Sequence, residues 1–336
     1  MKIFKCTKCG KILNGLENCG CGFAVPVING VYQFTNDKPI SIDGDGLKWL
    51  GYENVGENYE PGYVYNKDND NVGSCKYFAD YIGNDKIILD LGAGLGGSSI
   101  SFALSGLRAI AADISQVMLE TAVERAKKHN PPDDKIIFAR MNGYKLELAD
   151  NSIDAVLTID MLHQVDRPEL VVEEIKRVLK PDGYFLQYGG GSVKSPEYTE
   201  EQAAANARYE EARKDIQSFY DNIIHKAGYG EPPFSSWEKA AECIEENFYE
   251  FKDINDTGVY SGNNTAMQWK LKVGLHKIKT RASGSKQLIP DDIHNEAWAK
   301  TDEYAKNKYG NDYGEMTRYF VSGSGSYGGM KLYKMR

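Results

Sequence analysis

The stretch Lys86-Ile-Ile-Leu-Asp90-Leu-Gly92-Ala-Gly94-Leu-Gly96-Gly97-Ser-Ser99 decides how the chain is read. Ile87-Ile88-Leu89 is a short apolar run of the kind a buried strand needs, and it is followed at once by a turn dense in glycine. From Ser98 onward the residues read as the start of a helix. A strand that runs into a glycine-rich turn and a helix is a nucleotide-binding device. Glycine lets the backbone approach a ligand closely, and a helix N-terminus offers unpaired N–H groups. Gly92, Gly94 and Gly97 also satisfy G-x-G-x-x-G, which alone leaves the nucleotide open. Asp90, inside the site, disfavours a pyrophosphate and suits a ligand that carries an ammonium or sulfonium group. S-adenosylmethionine (SAM) is such a ligand.

Outward from this stretch, strand and helix alternate. The expected strands are 86–91, 107–113, 135–140, 154–159 and 184–188, with helices over 97–105, 116–129 and 168–179. Regular alternation implies an α/β fold: a Rossmann-like, mostly parallel sheet with helices on both faces, and ligands at the C-terminal ends of the strands. A helix-prone, charged insertion, about 192–247, follows the fifth strand. Phe248 to Ile254 reads as a sixth strand, 265–280 and 290–309 as helices, and Arg318 to Met335 as a strand or hairpin closing the sheet. The domain so outlined spans 86–336. Residues 36–85 form a polar connector with aromatics at Trp49, Tyr52, Tyr59, Tyr63 and Tyr65, expected to lie over the cofactor as a lid or to pack on the domain surface.

Four of the six cysteines fall in the first 21 residues, as Cys6-x-x-Cys9 and Cys19-x-Cys21. Crowded thiols in a chain without a signal-peptide pattern read as a metal site before they read as disulfides. Two facing knuckles supply the four thiolates of a tetrahedral Zn(II) site, and a module as short as 1–35 has little core of its own. Phe23 to Phe34 reads as two short strands around Asn29-Gly30.

The second strand ends at Asp113, an acid placed to accept hydrogen bonds from both hydroxyls of an adenosine ribose. Its alternative role is an N-cap for the helix that begins near Gln116, a role for which Ser115 competes. Ile114 and Met118 are placed to flank an adenine. Met141-Asn142-Gly143 follows the third strand, and Asp160-Met161-Leu162-His163 the fourth. His163 is the general-base candidate, because imidazole titrates near neutral pH, though a histidine here also serves simply as packing. His225, His276 and His294 stand outside any motif. Cys75 and Cys243 read as buried thiols.

Taken together, GAGLGG, AADIS, DNSIDAV and LKPDGYFL resemble a class I SAM-dependent methyltransferase of the broad small-molecule type, over residues 86 to 190. The resemblance implies that Asp90, Gly92, Ala93, Gly94 and Asp113 hold SAM, with Asp160 and Met161 beside its methionine end. It also implies an Asp-Ala after the third strand whose acid faces the adenine amine. Here Asn142-Gly143 stands in that place, either offering an uncharged amide oxygen to the adenine or forming only a turn. Lys5 to Phe34 resembles the zinc-ribbon-like domain, similar to Trm112, at the front of some methyltransferases.

The composition bounds the acceptor. The net charge is −8 over 336 residues, which argues against broad electrostatic binding of nucleic acid. No run approaches the roughly 20 apolar residues of a membrane span, and a cytoplasmic enzyme is expected. The strand-four end lacks the N/D-P-P-Y/F of exocyclic-amine methylation on DNA bases and the Pro-Cys of cytosine C5 methylation. A small-molecule acceptor is the leading expectation. An RNA methyltransferase is the alternative, because Lys2, Lys5, Lys8, Lys11 and Lys38 face only Glu17 and Asp37 in the first 40 residues. A NAD-dependent oxidoreductase and a non-catalytic SAM-binding protein complete the field.

Overall fold

A computed structural model describes residues 1–16, 18–39, 41–42, 48–53, 70–188, 198–231, 237–253, 266–321 and 330–336. The regular structure starts with a hairpin, β1 (Val27–Ile28) and β2 (Val31–Gln33). Its turn residues Asn29 and Gly30 take φ values of 49° and 83°, the left-handed pair that a two-residue type I′ turn demands. A small ribbon of β3 (Ser41–Ile42) and β4 (Lys48–Trp49) follows. Then comes the alternating unit: α1 (Asp70–Ile82), β5 (Ile87–Leu91), α2 (Gly97–Leu104), β6 (Arg108–Asp113), α3 (Gln116–His129) and β7 (Ile136–Arg140). It continues with β8 (Ile153–Thr158), α4 (Pro168–Val178) and β9 (Leu179–Tyr188). The remainder is α5 (Glu200–Lys226), α6 (Trp237–Asn247), β10 (Phe248–Asp253), β11 (Ala266–Lys270), the single turns α7 (Leu271–Gly274) and α8 (His276–Lys279), α9 (Asp291–Tyr309), β12 (Thr317–Val321) and β13 (Met330–Met335).

Among the described residues the main sheet has nine strands in the order β1-β2-β7-β6-β5-β8-β9-β13-β10. From β2 to β9 every pairing is parallel; β1, β13 and β10 run antiparallel to their neighbours. The chain builds outward from β5 through β6 to β7, then returns to place β8 on the other side of β5. The point between β5 and β8 is thus the topological switch, where such sheets open a crevice at their C-terminal edge.

Strand residues alternate between two cores. Leu89, Ile110, Val156 and Phe185 face α4, α6 and the N-terminal segment, whereas Ile88, Ala109 and Leu157 face α1 and α2. Burying one such Leu, Val or Phe side chain is worth about 1.5–3 kcal/mol, so the two-sided burial of the parallel strands anchors the sheet. On the second face, α3 lays Leu119, Ala122, Val123 and Ala126 against Ala111, Phe138 and Val31. Its start is fixed by Ser115, whose hydroxyl accepts from Met118 N. A separate core joins α5 to α7, α8 and α9 through Tyr209, Ile216, Tyr220, Leu271, Ile278 and Ala297.

The structure departs from the sequence reading in three places. Residues 265–280 are not one helix: Ala266–Lys270 is a strand, followed by two single turns. The alternating run Met-Gln-Trp-Lys pairs with β12, whose residues lie 47 to 53 positions away in sequence, a partner that local periodicity does not reveal. Arg318 to Met335 is likewise not one hairpin, since β12 pairs with β11 outside the main sheet and β13 inserts between β9 and β10. Finally, β9 begins at Leu179 rather than Tyr184, and its pairing with β8 shifts register between Ile153 and Ala155. The N-terminal hairpin adds a feature of its own. Through β2 it joins the main sheet, with Val31, Tyr32 and Gln33 paired to Phe138, Ala139 and Arg140.

Candidate active site

At the switch point the glycine-rich turn after β5, the ends of β6 and β7, and the segment after β8 come together. Gly92 has φ 79°, and a Cβ on it would lie 2.5 Å from Met161 Cγ and 2.7 Å from Met161 Cβ. Only glycine fits where the post-β8 segment closes onto the turn. Gly92 N and Ala93 N both donate to Ala112 O, which ties the turn to β6. Asp113 then completes the frame. Its Oδ2 accepts from Gly94 N at 2.8 Å and its Oδ1 from Ser115 N at 2.8 Å. Burial raises its pKa from the ordinary carboxylate value, against the N–H groups of Ser115 and Gly94. With Ser115 acting as the helix cap, Asp113 is not needed in that role. Each carboxylate oxygen keeps lone-pair capacity after its backbone bond.

Asp90 lies deeper. It is buried, and its Oδ2 accepts from Ser99 Oγ at 2.6 Å. Burial pushes its pKa up to about 6, opposed by the bonds from Ser99. Its firmest contact therefore ties β5 to the first turn of α2.

Asn142 makes a bond at each end of its amide. Its Oδ1 accepts from Tyr144 N at 2.9 Å, and its Nδ2 donates to Asp37 Oδ2 at 2.7 Å. Asn142 O also accepts from Lys145 N, so Asn142-Gly143 forms a closed turn. Beside it, Gly143 stands against Val171 and Met161. Asp37 is a site residue that sequence reasoning did not single out, because it reaches the site only through the pairing of β2 with β7.

After β8, Asp160 adopts φ 48°, an uncommon value for a residue with a side chain, and its carbonyl accepts from Gln164 Nε2. Burial raises the Asp160 pKa, with Lys277 of α8 acting in the opposite sense. His163 stacks face to face on Trp237, with ring centroids 3.5 Å apart and planes 8° from parallel. Burial lowers its pKa to about 4, so the imidazole is neutral at physiological pH and only a weak proton acceptor. The other histidines stand apart: His294 is buried against Tyr220 and Lys279 O, and His225 pairs with Glu231. Cys75 and Cys243 are buried.

A roof covers the glycine turn. Tyr52 and Ala282 pack with Leu95 and Met118. Ser115 Oγ donates to Glu53 Oε2 at 3.1 Å, and Gln287 Nε2 donates to Gly51 O at 2.7 Å. Residues 50–53 and 277–287 thus meet above the turn. The remaining connector aromatics Tyr59, Tyr63 and Tyr65 lie outside the described residues, as do 192–197 of the insertion.

The N-terminal cysteines converge. Cys6, Cys9, Cys19 and Cys21 hold their Sγ atoms all within 4.8 Å of one another, with Cys6–Cys21 at 3.7 Å and Cys9–Cys19 at 3.5 Å. The edge of a tetrahedron with Zn–S bonds of about 2.3 Å is about 3.8 Å, so the donor set can hold such an ion. Backbone bonds Gly10 N to Cys6 O and Gly22 N to Cys19 O close the two knuckles.

Residues 89–187 match the family model described as a methyltransferase domain. The matched span runs from β5 to β9 and contains these site elements. A demethylmenaquinone methyltransferase of Clavibacter sepedonicus is 41% identical over 99 residues, 30% of this chain and 39% of that protein. The ubiquinone/menaquinone biosynthesis C-methyltransferase UbiE of Rhodopseudomonas palustris is 35% identical over 112 residues, 32% of this chain and 44% of that protein. The chain thus spans about two fifths of the length of these curated relatives. Among solved structures, a SAM-dependent methyltransferase from Aquifex aeolicus is 20% identical, with a TM-score of 0.33, over 40% of this chain and 77% of its own. The family match thus falls on the alternating strand–helix part of the chain. Among the described residues, no helix is long and apolar enough to cross a membrane.

Proposed function

We propose that the protein is a SAM-dependent methyltransferase that acts on a small-molecule acceptor. The observation that carries this reading is the Asp113 carboxylate, held by Gly94 N–H and Ser115 N–H at the end of β6. Two oxygens fixed at that height suit the two hydroxyl donors of a ribose. Gly92, Ala93 and Gly94 bring bare backbone to the nucleoside, Ile114 and Met118 flank the base, and Asp160 and Met161 border the methionine end. When bound, SAM supplies a methyl group already activated on a sulfonium, ready for in-line displacement. The chain's task is then to align the acceptor and exclude water, which the roof of Tyr52 and Ala282 over Leu95 and Met118 serves. His163 and Trp237 form a flat wall on the acceptor side. With its low pKa, His163 takes a proton only from an acceptor that loses it as the methyl arrives.

Two things support a small-molecule acceptor: the acidic charge of the chain and the names of the quinone-pathway relatives. The basic tip offers less to RNA than its sequence promises, since Lys5 is paired with Asp150 at 3.0 Å. In this reading Cys6, Cys9, Cys19 and Cys21 bind Zn(II) as a structural ion. Calorimetry with S-adenosylhomocysteine tests the cofactor half. We expect one equivalent bound, and an affinity about ten- to a hundredfold lower in Asp113→Ala, the range for losing hydrogen bonds to a charged group. No binding by the unaltered protein refutes the proposal.

A further inference from the structure

We propose that Asp37, carried on the N-terminal segment, recognises the amino edge of the cofactor's adenine in place of Asn142. The inference rests on the SAM reading above and names the residue that sets base specificity within it.

Three observations carry it. First, Asn142 turns its NH2 group to Asp37 Oδ2 while its oxygen accepts from Tyr144 N, so the stronger acceptor at this place is the charged Asp37 carboxylate beside it. Second, Asp37 is fixed where Asn142 stands. Arg140 donates from Nη2 to Asp37 O at 2.5 Å and from Nε to Ile114 O at 3.0 Å. One guanidinium therefore straps the Asp37 main chain to the turn that carries Asp113 and Ile114, the ribose and base positions. Phe34 N, bonded to Arg140 O at 3.0 Å, holds the same segment at the end of β7. Third, Asp37 Oδ2 is engaged by Asn142, and Oδ1 has no partner among the described residues.

The chemistry is that of a charged acceptor meeting a donor. A carboxylate accepts from the 6-amino group of adenine and repels the 6-oxo group of hypoxanthine. Because Asn142 donates to it, the pair also has a fixed polarity. In Asp37→Asn the Asn142 NH2 group would still require an oxygen opposite it. The new amide must then turn its own NH2 group outward, toward the base.

The experiment is calorimetric binding of two ligands, S-adenosylhomocysteine and S-inosylhomocysteine, which differ at the base edge. The proteins are the unaltered chain, Asp37→Ala, Asp37→Asn and Asp113→Ala, each checked for folding by circular dichroism. The unaltered protein is expected to favour the adenosyl ligand by about tenfold or more, the scale of one charged hydrogen bond. Asp37→Ala lowers adenosyl affinity by about tenfold and, by removing the repulsion of the 6-oxo group, raises inosyl affinity, so the preference collapses. Asp37→Asn shifts the preference toward the inosyl ligand. Asp113→Ala weakens both ligands alike. If Asp37→Ala keeps the full adenosyl preference, the assignment to Asp37 is wrong and the cofactor reading stands. If the unaltered protein binds neither ligand, the cofactor reading falls and the assignment falls with it.

Discussion

Replacing Asp90 by asparagine removes a buried charge and keeps the side chain's shape. Asp90 is 3% exposed, and its pKa rises from 3.8 to about 6 on folding, mainly through burial. A raised carboxylate pKa means that the folded state favours the protonated form. Its stabilising contribution is present below pH 3.8 and is lost as pH rises through about 6. Above that window ionised Asp90 costs the native state up to about 3 kcal/mol, from a shift of roughly two pH units at 1.36 kcal/mol each. Between pH 5 and pH 8 the unaltered protein should lose about 1.4 kcal/mol through this group, and Asp90→Asn should lose none of it. The asparagine oxygen can still accept from Ser99 Oγ, so the link from β5 to α2 survives. Urea denaturation of both proteins at the two pH values measures the difference. A stability gap that stays constant between pH 5 and pH 8 would refute the argument, as would a variant that loses more stability at pH 8 than at pH 5.

Gly92→Ala puts a methyl group within 2.5 Å of Met161 Cγ at φ 79°, and should cost about 1–3 kcal/mol in denaturation. Trp237→Ala uncovers the His163 ring, and the imidazole pKa should climb from about 4 toward its ordinary 6.5, read by NMR titration. Stripping metal with a chelator should lower the thermal midpoint and release about one Zn(II) per chain by elemental analysis, while Cys9→Ser should reduce the metal retained.

The parallel core was legible because its signals are local. Gly-rich turn, apolar runs and amphipathic spacing place β5 through α4 within a residue or two. Asp113 was legible for the same reason, since it ends a strand at a fixed distance from the glycines. The bonds of Asn142 and the arrival of Asp37 were not. Both follow from β2 docking beside β7, a contact between residues more than 100 apart in sequence. The weak basicity of His163 was equally hidden, because it comes from the Trp237 ring and from burial, and imidazole in isolation titrates near 6.5. The helix expected over 265–280 failed where a distant strand overrode local propensity.

The docking of β2 also governs how the protein behaves in company. A parallel strand at the margin of a sheet presents a row of unpaired N–H and C=O groups, an invitation to other chains. Here β2 occupies that margin on β7, and the two-residue β1, turned back antiparallel, leaves only a very short outer rim. Without the first 35 residues the flank of β7 would be bare and adhesive. The N-terminal segment therefore covers an edge that β7 would otherwise leave open to pairing.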